Sequence, residues 1–259
     1  RSIEVLIVRI VVVSESFLPT VNGVTNSVLK VLDFLSAEGH EAIVICPSAG
    51  APKTYAGFAV HAVPALAYRQ VHRLIADFRP DVVHAAAPFL LGAQAISSAN
   101  RLGIPTVAIF QTDVAGYARR HRLGQATKLA WRIVRWIHDG AQLTLAPSST
   151  AMADLRAIGL TKLERWGRGV DLAMYHPAKK LSPSTVRLRK RLSPNGEVVV
   201  GYVGRIAPEK QVERLRALRG LDGVRVAIVG DGSSVPLVKK ELAGIPVTWL
   251  GKLGGEELA

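Results

Sequence analysis

The sequence predicts an α/β protein with two doubly wound parallel-sheet domains, and three observations predict it. Strand-like and helix-like segments alternate along nearly the whole chain. Hydrophobic residues make up 49% of the 259, mainly Val, Ile, Leu and Ala, with only 6% aromatic. That composition suits strands buried on both faces beneath helices. The alternation breaks once, in a loop-like stretch over residues 166–177, and then resumes. The expected domains are residues 1–165 and 166–259.

The first strand is expected over residues 7–14. The wider apolar run 3–13 carries Glu4 and Arg9 and has no small-residue cleavage site, so it reads as strand rather than leader. Residues 25–38 place Val28, Val31, Leu32 and Leu35 at helical spacing, and Gly39 stops the helix. Strands are expected over 41–47 and 58–63, then a helix over 71–78 closed by Arg79-Pro80. Strands at 81–86 and 105–110 flank a helix at 90–102. A short strand at 143–147 and a helix at 150–158 complete the first domain. The second runs strand 198–203, helix 211–218, strand 224–229, turn Gly230-Asp231-Gly232, helix 235–242 and strand 247–250. Three strands fall short of the ~100–150 residues usual for a domain, so this one reads as incomplete.

The net charge of +13 calls for an anionic partner. The charge clusters at Arg119, Arg120, His121 and Arg122, at Lys128, Arg132 and Arg135, from Arg187 to Arg191, and at Arg214, Arg216 and Arg219. Nucleic acid, anionic lipid and a phosphorylated substrate would all be attracted. No helix-turn-helix, RRM, KH or zinc-module signature is present, so no nucleic-acid partner is expected. Residues 128–139 put Lys128, Arg132 and Arg135 on one helical face and Leu129, Ile133, Trp136 and Ile137 on another. An ordinary solvated helix and contact with a membrane surface both fit that pattern. Cys46 is the only cysteine, which fits a reducing compartment. No run approaches the roughly 18 apolar residues of a membrane span, so a soluble intracellular protein is expected.

The most informative stretch is Gly204-Arg205-Ile206-Ala207-Pro208-Glu209-Lys210, directly after the strand at 198–203. Gly204 brings backbone close to whatever lies above the sheet, and Arg205 and Lys210 add two fixed charges where a following helix would begin. That is the composition of a diphosphate site, although not of a Walker loop, and a solvated turn fits the local pattern equally. Asn22 and Gly23 follow the first strand at the carboxyl edge, where open α/β sheets bind ligands. They read either as a phosphate contact or as a plain turn. Gln111, Thr112 and Asp113 follow the strand at 105–110; they suit a sugar's hydroxyls, or an N-cap in the case of Thr112 and Asp113. His84, at another strand end without a visible partner, reads as structural. Gly251, Lys252 and Leu253 end the last strand, where backbone groups suit a nucleobase. No HExxH, CxxC or GxSxG is present, so neither a metal nor a nucleophile elbow is expected. The first loop is not GxGxxG and no acid ends the second strand, which argues against a nicotinamide cofactor.

With these residues assembled, the chain resembles glycosyltransferase family 4, retaining enzymes of GT-B architecture, and within it actinobacterial GDP-mannose-dependent α-mannosyltransferases that act on lipids. The resemblance runs from about Arg9 onward. It is most specific over residues 14–27, 111–117, 167–177 and 201–210. It implies two facing Rossmann-like domains, the first on the acceptor side and the second binding the nucleotide sugar. It implies Arg205 and Lys210 as catalytic groups on the diphosphate. Asn22, Gly23, Gln111, Asp113, Gly204, Gly251, Lys252 and Leu253 would bind the donor. It also implies a GDP-mannose donor without a cofactor, and a glycolipid or phosphatidylinositol-type acceptor. The expected location is the inner face of the plasma membrane, peripherally attached to anionic lipid. UDP-glucose or another sugar nucleotide as donor, or binding without turnover, are the alternatives. Many members carry histidine where this chain has Gln111. A hexosyltransferase is expected; the family's glutamate pair and returning C-terminal helix have no counterpart up to Ala259, which leaves an inactive fragment as the alternative for the chain as given.

Overall fold

The computed structural model describes residues 6–47, 50–111, 124–167 and 169–259. The chain divides into two compact units, Arg1–Arg168 and Gly169–Ala259.

Unit 1 is built on an eight-stranded sheet: β1 (Arg9–Ser14), β2 (Glu41–Cys46), β3 (Thr54–Tyr55), β4 (Phe58–Ala62), β5 (Val82–Ala86), β6 (Thr106–Ile109), β7 (Leu143–Ala146) and β8 (Leu163–Arg165). Their spatial order is β3-β4-β2-β1-β5-β6-β7-β8, parallel except for the β3–β4 hairpin. Between them run α1 (Gly23–Ala37), α2 (Tyr68–Phe78), α3 (Leu90–Arg101), α4 (Gly124–Asp139) and α5 (Ser149–Ala157).

The period-2 geometry of a strand sends alternate side chains to opposite faces. Ile10 and Val12 of β1 pack beneath Val28, Leu32 and Leu35 of α1. Val11 and Val13 pack on the other face against Val71 and Ile75 of α2 and Leu91 and Ala95 of α3. Both faces of β1 are therefore core, which is why its sequence is a continuous apolar run rather than an alternating one. The strand order reverses at β1, which pairs with β2 on one side and β5 on the other. A crevice above the carboxyl ends of β1 and β5 follows from that reversal.

Unit 2 carries a three-stranded parallel sheet in the order β11-β10-β9: β9 (Val198–Val203), β10 (Val224–Val229) and β11 (Val247–Gly251). Its helices are α6 (Pro183–Leu192), α7 (Val235–Glu241) and the single turn α8 (Gly255–Leu258). Ile206, Val226, Ile228, Val238 and Leu242 form its core.

The helix expected over 211–218 is instead a 3₁₀ turn at Pro208–Lys210 followed by a 3₁₀ helix at Val212–Leu218. Gln211, in the left-handed conformation at φ 50°, separates the two. Val212, Leu215 and Leu218 face the unit-2 core. Their spacing of three matches the three-residue turn of a 3₁₀ helix, where an α-helix would leave its apolar stripe drifting. Helix α6 shows in the sequence only as the charge cluster from Arg187 to Arg191. Ser182 caps it, accepting from the Thr185 N–H at 3.2 Å, with Pro183 in its first turn.

Candidate functional site

At the carboxyl edge of unit 1, Asn22 is the N-cap of α1. Its Oδ1 accepts from the N–H groups of Val24 (2.9 Å) and Thr25 (3.0 Å), and its Nδ2 donates to Ser16 Oγ at 2.8 Å. The carboxamide is thus committed at both ends to the turn itself. Gly23, exposed as the first residue of α1, carries one of the N–H groups that a helix leaves without an intrahelical partner. Asn22→Ala is expected to cost about 1 kcal/mol, read as a lowered midpoint of thermal unfolding, while Asn22→Asp keeps the cap.

The sequence pattern does not single out Glu15, yet it organises this edge. One carboxylate oxygen, Oε1, accepts from the Phe89 and Gly92 N–H groups, both at 2.8 Å. The side chain leaving β1 therefore ties the loop after β5 and the start of α3 across the switch point. A carboxylate also complements the positive end of a helix. The signal available in the sequence was its place directly after the first strand.

Beside this tie, a cavity of about 470 Å³ opens over the ends of β5 and β6 and against α4. Among the described residues, Gln111 lines it with Glu15 and His138, and the others along its wall are Ala, Pro, Phe, Leu, Ile and Val. Of the cluster expected at residues 111–113, Gln111 alone lies among the described residues. Thr112, Asp113 and the charge cluster at residues 119–122 lie outside the described residues.

His138 is buried, its Nδ1 sharing a hydrogen bond with Thr144 Oγ1 at 3.1 Å. Burial pushes its pKa down to about 4, and does the same to His84. Both imidazoles are neutral at pH 7. A folded pKa below the unfolded value of 6.5 makes this stabilisation complete above pH 6.5. It is lost as the pH falls through about 4. Unit 1 should lose up to roughly 1.4 kcal/mol per pH unit for each histidine across that window. Urea unfolding followed from pH 7 downward checks this, and His138→Gln should flatten the dependence.

The edge of unit 2 is stitched by main chain. Gly204 N–H donates to Val229 O (3.0 Å), Ile206 N–H to Asp231 O (2.9 Å), Ser234 N–H to Ile206 O (3.0 Å) and Gly230 N–H to Gly251 O (2.7 Å). The loops after β9, β10 and β11 thereby become one surface. Only glycine fits at two places. A Cβ built on Gly230 (φ 135°) would overlap the Gly204 carbonyl oxygen, and one on Gly232 would overlap that of Ile206. The Gly230-Asp231-Gly232 turn is set by this long-range backbone packing.

Gly204 and Gly251 are joined in this way through Val229 and Gly230. Arg205 is exposed and ion-paired with Glu209, and the Tyr202 hydroxyl donates to the Arg205 carbonyl at 2.7 Å. Lys210 and Lys252 are exposed and Leu253 half-buried. Because a 3₁₀ turn rather than an α-helix follows Arg205, the two side-chain cations stand there without an aligned helix dipole.

The sequence profile described as Glycosyltransferase Family 4 matches residues 21–174, more than half of the chain. The chain belongs to glycosyltransferase family 4. This family 4 chain is 43% identical to the GDP-mannose-dependent alpha-mannosyltransferase of Mycolicibacterium smegmatis, over 97% of its own length and 70% of the relative's. It is 41% identical to the protein of the same name from Corynebacterium glutamicum, over 97% of its length and 63% of the relative's. Among solved structures, Anabaena HepE in complex with UDP superposes with a TM-score of 0.74 at 18% identity, covering 95% of this chain and 70% of that one. The fold of this family 4 member is thus α/β of the GT-B class.

Proposed function

We propose that this chain carries out the work of a retaining hexosyltransferase that moves mannose from GDP-mannose to a lipid acceptor. The observation that carries the reading is the 43% identity to a GDP-mannose-dependent alpha-mannosyltransferase along 97% of the chain. Unit 2 binds the donor in this reading. Arg205 and Lys210 hold the diphosphate, Gly204 lets it approach the backbone, and Gly251, Lys252 and Leu253 meet the base. Breaking the sugar–phosphate bond builds negative charge on the leaving oxygens, and fixed cations there act where charge grows. A departing phosphate oxygen takes the acceptor's proton, so no protein nucleophile is needed. On unit 1, Gly23 offers its N–H to the donor, Asn22 holds that loop in place, and Gln111 and Asp113 serve the sugar.

No helix among the described residues is long and apolar enough to cross a membrane. Helix α4 supports attachment to the cytoplasmic membrane surface instead. Leu129, Ile133 and Trp136 are exposed along one ridge, 69% exposed in the case of Trp136, and Lys128, Arg132 and Arg135 are exposed along the next. Such a helix lies in an anionic interface, each basic residue adding about 1 kcal/mol near the surface.

Labelled GDP-mannose and UDP-glucose offered in parallel with a membrane extract test the donor and the reaction. Mannose transfer into extractable lipid is the expected result, and transfer from UDP-glucose alone overturns the donor. Co-sedimentation with vesicles should require anionic lipid and weaken with salt. Equal binding to neutral vesicles removes the electrostatic attachment.

A further inference from the structure

Three observations meet where β1 and β5 end. Ala87, the residue after β5, is held at φ 50°, in the left-handed region that a non-glycine residue rarely occupies, with its N–H donating to Ile109 O at 3.0 Å. Gly92, in the first turn of α3, has no room for a side chain, because an added Cβ would overlap Pro88. Phe89, the N-cap of α3, makes no side-chain capping bond of its own. The acceptor comes from 74 positions earlier, since Glu15 Oε1 takes the Phe89 and Gly92 N–H groups at 2.8 Å each.

Backbone strain of this kind persists only where the surroundings over-determine it, and it gathers at functional sites. A Ser or Asp at position 89 would cap α3 locally. A carboxylate from the end of β1 does more, because its own loop has a second attachment. Ser14 Oγ donates to Ser16 O at 2.6 Å and accepts from the Ser16 N–H at 3.3 Å, which locks the turn around Glu15. Ser16 Oγ then accepts from Asn22 Nδ2 at 2.8 Å and shares a hydrogen bond with Thr25 Oγ1 at 3.1 Å. One tripeptide thus fastens the starts of α1 and α3 together. We infer that Glu15 is a positioning residue for sugar transfer, which through residues 14–16 sets the Gly23 N–H and the loop at 87–89 as one body. This rests on the transferase reading above and adds a residue that acts through the main chain of others. The donor's nucleotide is held by unit 2 in that reading, so losing Glu15 should spare donor binding and slow the transfer itself.

The test compares Glu15→Ala and Glu15→Gln with Asp81→Ala in the full chain. Asp81 is the matched control, its Oδ2 accepting from the Arg9 N–H at 2.8 Å at the opposite end of β1. Mannose transfer is followed from GDP-mannose at a fixed amount of membrane extract. Glu15→Ala should lower kcat about 10²-fold while moving the donor KM by less than about threefold, because a displacement of about 1 Å in a positioned group costs that much rate. Glu15→Gln keeps an acceptor oxygen and should recover to within about tenfold of the unsubstituted chain, its hydrogen bonds being roughly half as strong without the charge. Asp81→Ala should lower the unfolding temperature comparably yet keep its turnover. Hydrogen exchange reads the coupling without any turnover. Glu15→Ala should speed exchange at Phe89 and Gly92 and also at Val24 and Thr25, whose N–H groups bond to Asn22 rather than to Glu15. Asp81→Ala should leave all four protected. Faster exchange confined to Phe89 and Gly92 overturns the inference, as does an equal loss of turnover in Asp81→Ala and Glu15→Ala. Coupled exchange in a chain that transfers no mannose sustains the single body and sinks the transferase reading instead.

Discussion

Arg205→Ala is expected to lower kcat/KM for the sugar nucleotide by a factor on the order of 10²–10³, and Lys210→Ala by a similar factor. Loss of one preorganised group facing developing charge has that size in other enzymes. The structure adds a condition. Arg205 is ion-paired with Glu209 four residues on, and its side chain is 71% exposed. An exposed pair of this kind contributes only about 0–1 kcal/mol, so a diphosphate displaces the carboxylate at small cost. Glu209→Gln should therefore tighten donor binding severalfold while leaving the fold intact. Steady-state kinetics and donor titration of the three variants check this. Near-normal turnover by both alanine variants would remove the diphosphate assignment.

Gly230→Ala should destabilise unit 2 by about 3 kcal/mol or more, because the new methyl meets backbone that is itself hydrogen-bonded. The overlap is with the Gly204 carbonyl, which no rotamer change relieves, and φ of 135° is strained for any L side chain. Gly254→Ala is the control: no atom lies within 4 Å of its added Cβ and its φ is not positive. Hydrogen exchange of the β9 and β10 amides reads the difference. Protection surviving in Gly230→Ala would show that the loops tolerate separation.

Strands buried on both faces, such as β1, β2 and β10, are legible because burial leaves a continuous Val-Ile signal, and β9 is legible from its Val run although it is partly exposed. Strands β3 and β8, two and three residues long, are too short to carry a period in the sequence. The 3₁₀ segment at 212–218 was misread because three apolar residues at spacing three also fit one face of an α-helix, and the left-handed Gln211 has no marker in its identity. Site geometry was less legible. Asn22 has the right chemistry for a ligand and for a cap, and only the positions of Val24, Thr25 and Ser16 reveal the second use. Glu15 acts on residues 74 and 77 positions away, a distance that no local pattern spans. Gly230 and Gly232 looked like turn residues, while their requirement comes from a different loop.

The loops of unit 2 are fastened to one another through amides and carbonyls, and the side chains of Arg205 and Lys252 take no part in those hydrogen bonds, whereas Asp231 Oδ1 accepts from the Gly232 N–H at 2.7 Å. Shape and chemistry at this edge are therefore separately adjustable. A library randomised at 205 and 252 with the glycines and Asp231 held fixed should yield mostly folded members. Altered donor preference can then be sought there without re-stabilising the scaffold for each variant.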